Sequence, residues 1–256
     1  MLKAENLHFS YSKRGREVLR GLDLELPSGK VGILLGKNGC GKTTIFKTLL
    51  GIEKSTAGTV SFEGKELNRL GPRERAKLVA YVPQHIHFGN LSVYDSILMG
   101  RVSYFGSKAG EEDRAKVDAI ICEMGLEPFA ERNAEELSGG EKQKIAIARA
   151  LAQEPKLLIF DEPTGNLDMA NEQLIIREAR RLSTERGITV LSSLHDLNQA
   201  LSMGDCFYLM RDGIIQYAGD SEILTPEHIR EIFDVDIRVL DVDGEKIIVG
   251  GKNHEE

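Results

Sequence analysis

The chain has 256 residues, of which 41% are apolar, enough for one large or two small domains with a buried core. A net charge of −7 argues against a general nucleic-acid binder, so no nucleic-acid partner is expected. Apolar runs of only a few residues fall far short of the roughly 20 needed to span a bilayer. Met1-Leu2-Lys3-Ala4-Glu5 is followed by no signal-peptide core, and Cys40, Cys122 and Cys206 lack paired metal spacing, so a soluble, unexported chain with reduced thiols is expected.

In chain order, Leu7-His8-Phe9-Ser10-Tyr11 and Leu22-Asp23-Leu24-Glu25-Leu26 alternate apolar and polar residues and predict antiparallel strands, broken by Pro27-Ser28-Gly29. The apolar run Val31-Gly32-Ile33-Leu34-Leu35 then predicts a buried strand, and Ile45 to Leu50 a helix. Between them lies Gly36-Lys37-Asn38-Gly39-Cys40-Gly41-Lys42-Thr43-Thr44, which matches G-x-x-x-x-G-K-[ST]. Glycines permit a tight curve whose backbone N–H groups point at one anion, and the following helix turns its positive end toward it. Lys42 is expected on the β- and γ-phosphates and the Thr43 hydroxyl on Mg²⁺. Cys40 admits two readings: a thiolate favoured by the helix start and Lys42, or a small side chain filling space.

Gly58 to Gly64 predicts a strand and turn, and Val79-Ala80-Tyr81-Val82 a short buried strand leading to Gln84. From about 86 to 153 the period becomes helical, with helices at Val93 to Met99, Arg114 to Met124 and Glu141 to Leu151. His85 and His87 flank Ile86 without carboxylate or thiol companions and read as loop rather than metal ligands. Glu111-Glu112-Asp113 reads as an acidic helix start.

Leu137-Ser138-Gly139-Gly140-Glu141 opens the third of these helices, with Ser138 as its cap and two glycines exposing backbone N–H groups. One nucleotide needs one cradle. A second cradle on the same chain suggests that Ser138, Gly139 and Gly140 serve the nucleotide of another copy, which closes a twofold dimer. Some twenty residues on, Lys156 to Pro163 predicts a buried strand ending in Asp161 and Glu162. Asp161 is placed to hold Mg²⁺, and Glu162 to orient or deprotonate the water attacking the γ-phosphate.

Further strands are predicted at 188–192 and 206–210, with a helix at about 171–185. Asp241-Val242-Asp243-Gly244 lacks the oxygen spacing of a calcium loop and predicts a hairpin turn.

Taken together, these motifs resemble the ATP-binding cassette family of transporter ATPases over nearly the whole chain. Gly36 to Thr44 resembles the Walker A loop, Gln84 the Q-loop glutamine, and Leu137 to Glu141 the signature motif. Leu157 to Glu162 looks like Walker B with its catalytic glutamate. Tyr11 is similar to the aromatic residue that stacks on adenine, Asn166-Leu167-Asp168 to the D-loop, and His195 to the switch histidine. Alone, Tyr11 would be an ordinary strand aromatic and His195 a helix start.

The resemblance implies an α/β fold with a P-loop NTPase (RecA-like) core, an N-terminal antiparallel β-subdomain and an inserted helical subdomain. The chain would be one nucleotide-binding domain, with the α/β core and β-subdomain at about 1–85 and 154–235, the helical lobe at about 86–153 and a C-terminal hairpin at about 236–250. The resemblance further implies ATP and Mg²⁺ as cofactors, catalysis by Glu162, His195, Lys42 and Gln84, and nucleotide contacts by Tyr11, Gly36, Asn38, Gly39, Cys40, Gly41, Lys42, Thr43 and Thr44. Ser138, Gly139, Gly140 and Asp168 would contact nucleotide in an ATP-dependent homodimer; Thr43, Gln84 and Asp161 would serve the metal.

Leu91 to Arg101 and His195 to Ala200 look like the ATPases of iron-siderophore, haem and cobalamin importers. Such a subunit docks on separate permease subunits at the cytoplasmic face of the cell membrane, with an extracytoplasmic binding protein as indirect partner. Alternatives are a soluble cassette ATPase outside transport, or an importer of another substrate such as a metal ion or oxyanion. A P-loop kinase or GTPase is disfavoured by the serine-glycine-glycine motif and the lack of an Asn-Lys-x-Asp guanine motif.

Overall fold

The computed structural model describes residues 1–12, 15–165 and 167–251. These form two compact units, one of Met1–Arg69 together with the chain from Ile176 onward, the other of Leu70–Ile175.

The first unit opens with β1 (Leu2–Phe9) and β2 (Leu19–Leu26), whose inward leucines and phenylalanine alternate with exposed residues as the sequence pattern requires. They pair antiparallel, Leu2 opposite Leu26. β3 (Val31–Leu35) is buried throughout and runs through a glycine loop into α1 (Lys42–Leu49). β4 (Ala57–Phe62) pairs with β1, and with the short β5 (Lys65–Glu66) completes a sheet of order β2-β1-β4-β5.

In the second unit α2 (Pro72–Ala76) precedes β6 (Val79–Val82). Three helices follow, each with a local N-terminal cap. The Ser92 hydroxyl accepts from Asp95 N ahead of α3 (Val93–Leu98), and the Asp113 carboxylate accepts from Gly110 N at the start of α4 (Glu111–Glu123). Ser138 and Glu141 cap each other at the start of α5 (Gly139–Leu151). β7 (Leu157–Asp161) is wholly buried and lies parallel to β6, Val79 level with Leu157 and Val82 level with Phe160. Burial on both faces explains why these strands read as continuous apolar runs.

The helical part of this unit is tied together by Arg101, 1% exposed. Its guanidinium donates to Asp113 Oδ1 (3.0 Å), Ala152 O (2.8 Å) and Glu154 Oε2 (2.7 Å), and lies 3.7 Å from the Tyr104 ring centroid. Burial opposes its charge, but Glu154 and Asp113 outweigh that penalty and raise its pKa.

α6 (Met169–Arg186) leads to β8 (Thr189–Ser193), α7 (Leu197–Met203), β9 (Cys206–Arg211) and β10 (Ile214–Gly219). Within the first unit β3 lies parallel to both β8 and β9, and β10 adds antiparallel to β9. α8 (Pro226–Phe233) is followed by the hairpin of β11 (Ile237–Val242) and β12 (Glu245–Gly250). Its two turn residues, Asp243 and Gly244, have φ of 56° and 84°, the left-handed pair that a two-residue hairpin demands. No helix among the described residues is long and apolar enough to cross a membrane. The fold is thus α/β with the expected antiparallel subdomain.

Candidate functional site

In the first unit the buried strand β3 delivers its C-terminal end to the loop Gly36–Gly41, and α1 begins directly after it. Two glycines are required sterically. A Cβ on Gly36 would lie 2.4 Å from Met210 O, and one on Gly41, where φ is +113°, would lie 2.9 Å from Met210 Cε. The Lys42 side chain, 5% exposed, folds back so that Nζ donates to Gly36 O (2.7 Å) and Lys37 O (3.3 Å). The lysine therefore bridges the loop's own carbonyls. Lys37, Asn38 and Gly39 are exposed, as is Thr43, while Thr44 is buried and within hydrogen-bond distance of the Tyr11 hydroxyl, 3.2 Å.

Tyr11 is 59% exposed and meets Phe9 edge-on at 4.8 Å, which leaves much of its ring open to solvent. A cavity of about 410 Å³ flanks the loop, lined by Arg16, Lys37, Asn38, Cys40, Asp212 and Ile232 among others. Lys37 pairs with Asp234 just beyond α8, which tethers the loop to the C-terminal part of the unit.

Cys40 is 8% exposed, and its pKa is raised: burial dominates over the opposing effect of Lys42. Of the two readings of Cys40, this counts against the favoured thiolate. The helix start and the lysine are present, but desolvation of the charged form outweighs them. The space-filling reading fits better, since a Cβ on Gly36 would lie only 2.8 Å from Cys40 Sγ.

His195 lies exposed between β8 and α7, where Asp196 caps the helix by accepting from Gln199 N (2.8 Å).

In the second unit Asp161 ends β7, 4% exposed, and Glu162 follows with φ of 50°. A left-handed non-glycine residue at that point is sparsely populated backbone, of the kind that collects at functional sites. Each of the two carboxylates has a partner from β6 or the segment just after it. The Tyr81 hydroxyl donates to Asp161 Oδ2 at 3.1 Å, and the Gln84 amide donates to Glu162 Oε2. Burial first, then the charge on Asp161, pushes the Tyr81 pKa well up, so the phenol stays a donor.

Ser138 and Gly139 are exposed at the start of α5. Ser138 Oγ donates to Glu141 Oε2 (2.7 Å), and Ser138 N donates to the same oxygen (2.8 Å). The hydroxyl's bond is the leading cause of a depressed Glu141 pKa. Gly140 is buried against Asn171: a Cβ there would lie 2.2 Å from Asn171 Oδ1. Asp168 accepts from Asn171 N and Nδ2, both at 2.9 Å, so the aspartate at the head of α6 and Gly140 meet through one asparagine. Asn166, the first residue of the expected D-loop, lies outside the described residues.

Three residues of this region escaped the reading of the sequence: Tyr81, Asn171 and Glu135. Glu135 accepts from Lys142 Nζ (2.8 Å) and from Phe88 N (2.5 Å), linking the segment after Gln84 to α5, and its pKa falls to about 2, chiefly because of Lys142. Asp168 and Asn171 are spaced as a helix N-cap and its third residue, a local signal, whereas the reach of Tyr81 to Asp161 and of Glu135 to Phe88 carries no local pattern.

Hard oxygen donors are what magnesium takes. Within the second unit Asp161 offers such a donor, a buried carboxylate at a strand end, and its chemistry fits that ion.

A buried strand, a glycine loop curled round a lysine, and a following helix define a phosphate-binding P-loop protein. Residues 19–165 match the ABC transporter family. The chain is 35% identical to the iron(3+)-hydroxamate import ATP-binding protein FhuC of Bacillus subtilis, over 93% of this chain and 90% of that one. It is 37% identical to the hemin import ATP-binding protein HmuV of Gloeobacter violaceus, over 94% and 90%. Among solved structures it resembles a chain of a metal-chelate type ABC transporter in an inward-facing conformation, with a TM-score of 0.85, 28% identity and 98% of both chains covered. The chain belongs to the ABC transporter ATP-binding family. It is an ATPase subunit.

Proposed function

We propose that this ATPase powers uptake of a metal chelate, an iron-siderophore, haem or cobalamin, through separate permease subunits fed by an extracytoplasmic binding protein, working at the cytoplasmic face of the cell membrane. The similarity to FhuC and HmuV over nine-tenths of their length supports the substrate class. A spermidine/putrescine reading is kept as the second, because a PotA of Mesoplasma florum is 38% identical over 90% of this chain, although only 63% of that protein is covered.

The observation that carries the mechanism is the bond from Gln84 to Glu162, which links an exposed loop residue to the carboxylate that follows the strand. In this reading Lys42 and the N–H groups of the 36–41 loop bind phosphate, Asn38, Cys40 and Thr44 complete the loop's contacts, and Tyr11 carries adenine. On nucleotide binding Lys42 would exchange its loop carbonyls for phosphate oxygens.

Thr43, Asp161 and Gln84 would hold magnesium, which when bound neutralises developing phosphate charge. Glu162 orients or deprotonates the attacking water, and His195 contacts the γ-phosphate. Ser138, Gly139, Gly140 and Asp168 meet the nucleotide of a second copy, making the working form an ATP-dependent homodimer. A dimeric cassette of the same family, with a TM-score of 0.75 and 28% identity, supports that form.

Uptake of labelled ferric siderophore, haem, cobalamin and spermidine, compared in cells with and without this chain, tests the assignment. Loss confined to one chelate is expected. Loss of spermidine uptake alone would favour the second reading, and unchanged uptake of all four would end the chelate proposal.

A further inference from the structure

We propose that Tyr81 is a positioning residue for magnesium: its hydroxyl fixes the Asp161 carboxylate in the orientation that meets the cation of bound MgATP. The inference rests on the reading of Asp161 as a magnesium ligand. β6 and β7 run parallel with Tyr81 level with Ile159, and Asp161 lies two residues further along, on the same face as Ile159. The tyrosine leans along the strand direction, and Oη reaches Asp161 Oδ2 at 3.1 Å.

The choice of donor is informative. A buried carboxylate needs hydrogen-bond donors, and a lysine or arginine in this position would neutralise it and compete with a cation. A phenol satisfies one oxygen without bringing a positive charge of its own. The neighbouring Gln84 holds Glu162 from the same short segment, so Tyr81 and Gln84 together align adjacent carboxylates of different duty. An outer partner that orients a metal ligand is a recurring device in metal sites.

The test uses the full chain with Tyr81→Phe, which keeps the ring and removes only the donor. Mn²⁺ affinity would be measured by electron paramagnetic resonance with a non-hydrolysable ATP analogue, and analogue affinity again in excess EDTA. The expected result is Mn²⁺ binding weakened by about tenfold or more, with unchanged metal-free analogue binding. Unchanged Mn²⁺ affinity, or equal losses with and without metal, would overturn the proposal. Asp161→Asn separates the two layers of the inference. If it lowers Mn²⁺ affinity while Tyr81→Phe does not, the positioning role alone falls. If it leaves Mn²⁺ affinity intact, the magnesium reading of Asp161 falls and takes the tyrosine with it.

Discussion

The phosphate loop and the carboxylate strand end are built by different means. The loop's shape is a backbone property: Gly36 and Gly41 stand where a Cβ has no room, and Lys42 is pinned to the loop's carbonyls. At the end of β7 the backbone supplies only a strained turn, and the working groups are held side chain to side chain, Tyr81 to Asp161 and Gln84 to Glu162. A backbone cradle has a single geometry and serves binding. Side-chain bonds can change partner when a ligand or docked protein arrives, which suits a step that must be switched.

If that contrast is right, the largest effect should be a clean separation of turnover from binding. Glu162→Gln keeps the shape and the Gln84 neighbour but removes the proposed base, and is expected to lower steady-state ATP hydrolysis by about 10²–10⁴-fold with ATP affinity retained. Hydrolysis with the permease and equilibrium titration check the two halves. Near-normal turnover would strip Glu162 of its role. A trapped dimer of this variant in ATP, lost on adding Ser138→Arg, would extend the result to the paired site.

The opposite side of the contrast is tested by Gly41→Ala. A methyl group at φ +113°, 2.9 Å from Met210 Cε and 3.2 Å from Leu19 Cδ2, distorts the backbone itself. Strain of about 1–3 kcal/mol is expected, enough to weaken ATP binding by roughly five- to hundredfold. Calorimetric titration of ATP would measure it. An unchanged affinity would mean that the loop is softer than its glycines suggest.

Much of this was legible in the sequence, for physical reasons that differ by region. The loop and the capped start of α5 are local, so spacing alone exposes them: Ser138 and Glu141 do form the reciprocal cap. The strands β3, β6 and β7 announce themselves as buried apolar runs. What escaped depends on register or on distance along the chain. Tyr81 reaches a carboxylate 80 residues away. Arg101, just past the predicted helix at Val93 to Met99, gathers Asp113, Ala152 and Glu154 into one cluster. No local pattern encodes that.

A smaller effect concerns Glu135, a side-chain clamp on the segment that follows Gln84. Its folded pKa of about 2 lies below its ordinary 4.5, because Lys142 and the Phe88 N–H favour the ionised form. The stability it contributes is therefore fully present above the ordinary value and is lost as pH falls toward 2. Glu135→Gln should lower the urea unfolding midpoint slightly near neutrality, and the gap from the parent should close as pH drops through this window. A gap that stays constant in acid would place the stabilisation in packing rather than in charge.

The smallest effect separates local sequence from burial at the loop itself. Cys40 sits beside Lys42 at a helix start, which by sequence promises a reactive thiolate, yet it is buried with a raised pKa. Cys122 is exposed and Cys206 intermediate, and burial likewise raises the latter, while Glu127 raises the former. Since all three thiols are pushed up, access decides the order. Brief maleimide labelling followed by peptide mapping should find Cys122 modified first and Cys40 last, with MgATP making little difference to an already slow Cys40. Cys40→Ser should leave ATP hydrolysis close to the parent's. Fast, MgATP-sensitive labelling of Cys40 would mean that the loop opens in solution far enough for the lysine and the helix start to outweigh desolvation, and the picture of a fixed backbone cradle would have to yield.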